Sequence, residues 1–303
     1  MPRIGKPTDL LNRVLRLSLG SEVASRELRW MKEAIYEARP KISPADFEET
    51  LKSYVKRRAA GIPLAYVLGT QPFGPLTIKC RPPTLIPRPE TEDWVTRLGQ
   101  VISSTQSGSK SPISVLDICT GSGCIPLLLS STSRSPIAAL GVDISEAAVK
   151  LAKENVSEAG LSDRIPIVRG DLFDNDFVQT VLARSASPEA LGFDVITSNP
   201  PYIPQEEYDK LAPSVKQYED RLALLGDREG SEEADGLSFY HRIVELISKE
   251  NLIRDGGILA VEHGLGQSAA VQRIISNALG RRIRRLEAWK DQWEKERAVV
   301  AFL

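Results

Sequence analysis

Five apolar runs, ISVLDI, AALGVD, IPIVRG, FDVITS and GILAVE, alternate with amphipathic stretches between Ile113 and Glu262. Their β-branched content reads as strand, while the intervening segments Ile125–Ser131, Glu146–Ala159, Phe177–Ser185 and Phe239–Ile253 carry helical spacing. Such alternation predicts an α/β fold built on a doubly wound parallel sheet, with its ligand site outside the carboxyl ends of the strands. The closing run RAVVAFL reads as one more buried strand.

Ahead of this repeat the texture differs. TDLLNRVLRLSL, SEVASRELRWMKEAIYEA and SPADFEETLKSYVKRRAA read as helices, with Ser43 and Pro44 suited to an N-cap and first turn. Arg3, Lys6, Arg13 and Arg16 crowd the beginning, which reads as a first amphipathic helix rather than a transit-peptide remnant. GIPLAYVLGTQPFGPLTIKCRPPTLIPRP is rich in Pro and Gly and suggests a hairpin-bearing connector. The expected division is a helical domain over 1–62, a connector over 63–92 and an α/β domain over 93–303. A helix over ETEDWVTRLGQVIS and a polar loop, STQSGSKSP, lead into the first strand of the repeat.

At 303 residues, 42% apolar and 26% charged with a formal net charge of -1, the chain is neither a disordered tail nor a general nucleic-acid coat. No apolar run is long enough to span a bilayer. Cys80, Cys119 and Cys124 match neither a zinc site nor a thioredoxin-like pair, so reduced thiols and no metal are expected. KSYVKRR and RRIRR read as solvated basic faces, and Trp289 and Trp293 fit either core or an exposed patch.

The chemistry-bearing residues fall at strand ends. ISVLDI carries Asp117 at its end and is followed by Cys119, Thr120, Gly121, Ser122 and Gly123 in a turn that opens an apolar helix. A dinucleotide site would want a third glycine where Pro126 stands, and an acid beside the turn repels phosphate while welcoming an amine or a sulfonium. S-adenosylmethionine is therefore favoured over NAD. Asp143, ending AALGVD, is placed for the ribose hydroxyls, and Asp171 with Leu172 or Phe173 for the adenine. FDVITS delivers Asn199, Pro200, Pro201 and Tyr202 to the same edge. A conjugated amide or amine nitrogen is a poor nucleophile, so its N–H groups have to be held by acceptors. The Asn199 carbonyl and the carbonyl between the two prolines supply these, and Tyr202 can stack on a planar group. His241 and His263 lack a partnering nucleophile or ligand set and read as structural.

These residues resemble class I S-adenosylmethionine methyltransferases, and within them the protein-glutamine methyltransferases of the HemK or PrmC kind. The resemblance covers nearly the whole chain and is carried by NPPY and, more specifically, by LIPRPETE, Leu85 to Glu92. YEDRLALLGDREG, DGLSFYHRI and GGILAVEHGLGQ match further, the last through Gly257, Glu262, Gly264 and Gln267. It implies a helical domain, a hairpin connector and a seven-stranded Rossmann-like catalytic domain. It implies methylation of the glutamine amide in the GGQ motif of a peptide-chain release factor. Arg88, Pro89, Glu90 and Thr91 would then lie near the cofactor and substrate pocket. Two positions depart from the family pattern: Asp220 replaces a proline, and Cys119 stands where glycine is usual.

NPPY alone also fits methyltransferases of exocyclic amines in DNA adenine or rRNA guanine, which would flip a base into the pocket. The near-neutral charge opposes that alternative, and intact acceptors oppose a non-catalytic cofactor-binding scaffold. A monomer acting on a release factor without obligate nucleic acid or membrane is expected. The resemblance leans to a mitochondrial enzyme, with a bacterial-type cytoplasm as the alternative.

Overall fold

The computed structural model describes residues 7–105, 111–184, 192–227 and 234–303. Most of the polar loop STQSGSKSP, the end of the Phe177–Ser185 segment and the last three residues of GDREG lie outside them. Two compact units are formed, one of 7–70 with Ala212–Tyr218, the other of Gln71–Leu211 with Glu219–Leu303.

The first unit is helical: α1 (Pro7–Leu19), α2 (Ser21–Ala38), α3 (Pro44–Ala59) and the short α4 (Leu64–Leu68). Leu15, Ala24, Leu28, Met31, Ile35, Leu51 and Val55 fill its core. Ser43 caps α3 by accepting the Asp46 N–H at 3.2 Å. The basic run at the end of α3 is not simply a solvated face. Arg57 donates to the carbonyls of Tyr66 and Val67 at 2.8 and 3.2 Å, and Arg58 forms a two-pronged pair with the buried Glu27 at 2.7 and 3.0 Å. Arg57 thus closes the α3–α4 corner and Arg58 ties α3 to α2.

The second unit opens with a hairpin, β1 (Thr70–Phe73) and β2 (Leu76–Lys79), followed by α5 (Pro89–Thr105). Then come β3 (Ile113–Ile118), α6 (Cys124–Thr132), β4 (Ile137–Asp143), α7 (Glu146–Glu158), β5 (Ile167–Arg169), α8 (Phe177–Leu182) and β6 (Phe193–Ser198). After the short α9 (Gln205–Tyr208) and α10 (Pro213–Tyr218, which belongs with the first unit) follow α11 (Ser238–Glu250), β7 (Ile253–Glu262), α12 (Ser268–Leu279), β8 (Arg285–Lys290) and β9 (Glu296–Phe302). The seven-stranded sheet has the order β5-β4-β3-β6-β7-β9-β8. Along β3, Ile113 and Val115 enter the core on one face and Leu116 and Ile118 that on the other, as a strand covered on both sides requires. The order reverses between β3 and β6, so the crevice outside their carboxyl ends is where a doubly wound sheet binds its ligand.

The sheet is mixed rather than wholly parallel, because β9 runs antiparallel to both β7 and β8. β8 begins on the last arginine of RRIRR and runs through Trp289: it is an edge strand, and its outward charges obscure the alternation. It separates the two tryptophans. Trp289 is 1% exposed, with the Arg97 guanidinium 4.1 Å from its ring centroid, whereas Trp293, on the β8–β9 turn, is 55% exposed. IPIVRG becomes strand only from Ile167, since Pro166 has no N–H to donate. The helix expected to reach Ile253 stops at Glu250, because Asn251 takes the left-handed conformation with φ 50° and Ile253 already belongs to β7.

Candidate active site

The turn after β3 is wound by three residues in the left-handed region, Cys119 (φ 61°), Gly121 (φ 55°) and Gly123 (φ 79°). A side chain on Gly123 would stand 3.3 Å from the Ala152 Cβ, so this glycine also lets α6 pack on α7. Cys119 shows why a glycine suits its position: an L-residue held there costs about 1–2 kcal/mol. The turn is tied from two sides. Gly121 N–H donates to Asp143 Oδ2 at 2.8 Å, and Asn155 Nδ2 donates to the Ser122 carbonyl at 2.9 Å. Asn155 Oδ1 in turn accepts the Lys79 N–H at 2.8 Å, linking the β2 strand to the turn. Nothing in the local sequence marks Asn155, since its partners lie 33 and 76 residues away.

Asp117 and Thr197 are register partners on β3 and β6, and Thr197 Oγ1 donates to Asp117 Oδ1 at 2.7 Å. Asp117 Oδ2 and Thr120 Oγ1 are both buried and neither makes a well-formed hydrogen bond among the described residues, although the Thr120 hydroxyl lies near enough to the carboxylate to act on its pKa. Burial pushes Asp117 up from the ordinary 3.8 to about 7, the Thr120 and Thr197 hydroxyls opposing the rise and the Asp143 charge adding to it. An orphaned carboxylate oxygen beside a glycine-wound turn fits the ammonium group of an amino-acid cofactor and rejects phosphate. Asp143 accepts Gly121 N–H and Ser145 N–H, one on each oxygen, which leaves lone pairs for hydroxyls. Asp171 Oδ1 accepts the Phe173 N–H at 2.9 Å, Leu172 is buried, and Phe173 meets Phe239 edge to face at 5.2 Å. Cofactor affinity should accordingly rise with pH up to about 7 and then level, because the ammonium pairs with the ionised Asp117 only. Titration calorimetry from about pH 5.5 to 8.5 checks this, and Asp117→Asn should flatten the profile. The apo protein should move oppositely. Between 3.8 and about 7 the folded chain keeps a proton that the unfolded chain has released, so this group's contribution to stability falls as pH rises across that window.

From β6 the chain enters Asn199-Pro200-Pro201-Tyr202, with both prolines buried. Ile203 N–H donates to the Leu224 carbonyl at 2.9 Å and Gly226 N–H returns to the Ile203 carbonyl at 3.0 Å. The Tyr202 carbonyl accepts Gln267 Nε2 at 2.9 Å. Cβ atoms built on Gly236 and Gly226 would stand 2.2 Å from the Tyr202 carbonyl oxygen and 2.7 Å from its Cα. The loop is thus stiffened by its prolines and clamped from outside by backbone. Burial pushes the Tyr202 hydroxyl well above its ordinary range, so the ring acts as a neutral wall.

Asn199 Nδ2 donates to Thr91 Oγ1 at 3.2 Å, leaving Oδ1 as the amide's acceptor. Thr91 therefore reaches the loop directly, while its neighbours are engaged in holding the frame. Arg88 Nη2 pairs with the buried Glu219 at 2.5 Å, Pro89 opens α5, and Glu90 faces Arg297 at 3.7 Å. Asp220 does what a proline cannot: its N–H donates to the Pro83 carbonyl at 2.8 Å, and its Oδ1 accepts Leu222 N–H to cap a short 3-10 turn. His263 is fully buried with its pKa pushed down by that burial, and His241 is exposed. Among the described residues no group of three or more His, Cys, Asp or Glu could hold a metal ion.

A family profile described as a methyltransferase domain matches residues 109–293. A release factor glutamine methyltransferase of Thermodesulfovibrio yellowstonii is 34% identical, over 90% of this chain and 89% of its own. The chain belongs to the release factor glutamine methyltransferase family. Another relative, a probable mitochondrial MRF1 N(5)-glutamine methyltransferase of Schizosaccharomyces pombe, is 32% identical over 75% of this chain and 70% of its own. Among solved structures, the N-terminal domain of human METTL16 in complex with SAH has a TM-score of 0.53 at 21% identity, covering 82% of this chain and 83% of that one. It shares the fold of this family's catalytic domain, a mostly parallel seven-stranded sheet with helices on both faces.

Proposed function

We propose that this enzyme transfers a methyl group from S-adenosylmethionine to the side-chain amide nitrogen of the glutamine in the GGQ motif of a peptide-chain release factor. The observation that carries the reading is the loop at Asn199, whose Oδ1 and whose rigid Pro200 carbonyl are acceptors rather than bases. An amide nitrogen needs its two hydrogens held and its face turned to the donor, and aligned reactants gain roughly 7–11 kcal/mol from positioning. S-adenosylmethionine supplies, when bound, a methyl group activated by its sulfonium. Asp117 would hold the cofactor's ammonium, Asp143 its ribose hydroxyls, and Asp171 with Leu172 its adenine. Thr120, Ser122 and the backbone of Cys119, Gly121 and Gly123 line its path. Asn199 and Pro200 orient the substrate amide, Pro201 stiffens the loop, and Tyr202 walls the amide plane. The proton lost from nitrogen passes to water after transfer.

Arg88, Pro89 and Glu90 frame the substrate side, and the helical unit grips the release factor. We place the enzyme in the mitochondrion, acting as a monomer without obligate nucleic acid. Two relatives at 32 and 33% identity are named mitochondrial, beside bacterial relatives at 34 and 36%. No helix among the described residues is long and apolar enough to cross a membrane. With labelled cofactor, label should enter purified release factor and leave tRNA, rRNA and DNA bare. Label on nucleic acid alone would replace this reading with base methylation.

A further inference from the structure

We propose that Glu262 and Thr91 are positioning residues that decide which end of the Asn199 amide faces the substrate, an inference that rests on the glutamine-methyltransferase reading above. Glu262 ends β7 and is 2% exposed. Its Oε2 accepts the Thr91 hydroxyl at 2.6 Å and the Trp94 indole N–H at 2.8 Å. Each partner settles part of the polarity. An indole N–H is donor only, so Oε2 faces Trp94 and Thr91 as an acceptor; burial raises the Glu262 pKa, and these two donated hydrogen bonds oppose the rise and favour the charged form. The single Thr91 proton is therefore committed to Glu262, and what Thr91 shows Asn199, at 3.2 Å, is a lone pair.

Only the NH2 end of the amide can meet a lone pair. The reversed amide would set one oxygen against another with no proton between them, in a region walled by buried residues. The carboxylate, the hydroxyl and the amide thus form a directed chain whose free end is Asn199 Oδ1. That is the polarity required to hold a substrate N–H. The Tyr240 hydroxyl donates to the Glu262 backbone carbonyl at 2.8 Å, which fixes the strand end carrying the carboxylate. Three elements, α5, β7 and the loop after β6, converge on this chain. None of the three side chains before Asn199 needs to touch the substrate.

Substitutions at two positions test this in the full chain. Thr91→Val keeps the shape and removes the hydroxyl, freeing the amide to turn; kcat should fall roughly 10- to 100-fold, with KM for release factor and the cofactor dissociation constant within about twofold of wild type. Thr91→Ser, which keeps the hydroxyl, should recover most of that loss. Glu262→Met should lower kcat by about tenfold or more, because it removes the oxygen that accepts the Thr91 hydroxyl and leaves the Thr91 proton free to turn toward Asn199. The proposal is overturned if Thr91→Val keeps kcat within about twofold, or if Val and Ser lower it equally, since the hydroxyl would then be irrelevant. Should Thr91→Val fail to fold, judged by cofactor binding and thermal melting, Glu262→Met decides, and full kcat in that variant overturns the proposal as well. No methyl transfer by the wild-type enzyme to any release factor would instead remove the underlying reading, so the two failures are distinct.

Discussion

Asn199→Ala should bind S-adenosylmethionine with near-normal affinity and transfer methyl groups roughly 10²–10³ times more slowly than wild type. The expectation follows from where the side chain is engaged. Its nitrogen is held by Thr91, so its oxygen is the acceptor that remains for a substrate hydrogen, while the cofactor's ammonium is assigned to Asp117 on a different strand. Truncation removes the acceptor and leaves the donor pocket intact. Asn199→Asp sharpens the test. Aspartate offers acceptors in the same place but has no N–H for Thr91, so it too should be slow, and by a different route from alanine. Single-turnover rates at saturating cofactor, beside calorimetric binding constants, separate a lost acceptor from lost binding.

The second large effect should come from a residue with no functional side chain. Gly236→Ala should cost about 3 kcal/mol or more in stability and abolish most activity. The added methyl would lie 2.2 Å from the Tyr202 carbonyl oxygen, which is backbone and cannot rotate away, and φ at Gly236 is +77°. Relieving the contact means moving Tyr202, and with it the prolines that aim Asn199. Gly121→Ala provides the contrast. It has φ +55° but open space around the added atom, so about 1–2 kcal/mol is expected there. Denaturant unfolding of the two variants measures the difference.

Much of the catalytic domain was legible because its central strands are buried on both faces. ISVLDI and FDVITS read as continuous apolar runs, and both match β3 and β6 residue for residue. The charged residues ending such runs are out of place in a core, which drew attention to Asp117 and Asp143 and, one residue past its strand, to Asn199. β8 escaped since an edge strand tolerates arginine and lysine, and the same charges made it look like a basic patch. The destinations of Arg57 and Arg58 were equally invisible: a cluster of like charges says nothing about a buried glutamate thirty-one residues earlier.

The supporting parts of the site were hidden for a different reason. Thr91 and Trp94 sit on α5, and their common acceptor Glu262 is 171 and 168 residues away, a juxtaposition that no local pattern encodes. The resemblance pointed to RPETE and VEHG as segments without indicating that they touch. Gly226 and Gly236 matter through what they leave room for, the Tyr202 backbone, rather than through turn chemistry alone. Cys119 and Asp220, the two departures from the family pattern, have local accounts. The first occupies a left-handed position and keeps it at some strain; the second replaces a proline with an N–H donor and a cap.

The most direct measurement is where the methyl group ends up. Release factor incubated with the enzyme and S-adenosylmethionine should, on peptide fragmentation by mass spectrometry, carry one methyl group on the side-chain nitrogen of the GGQ glutamine. A factor with that glutamine replaced should carry none. Methyl on another residue, or equal labelling of the replaced factor, would contradict the account, because the role proposed for the Asn199 loop is to hold that amide.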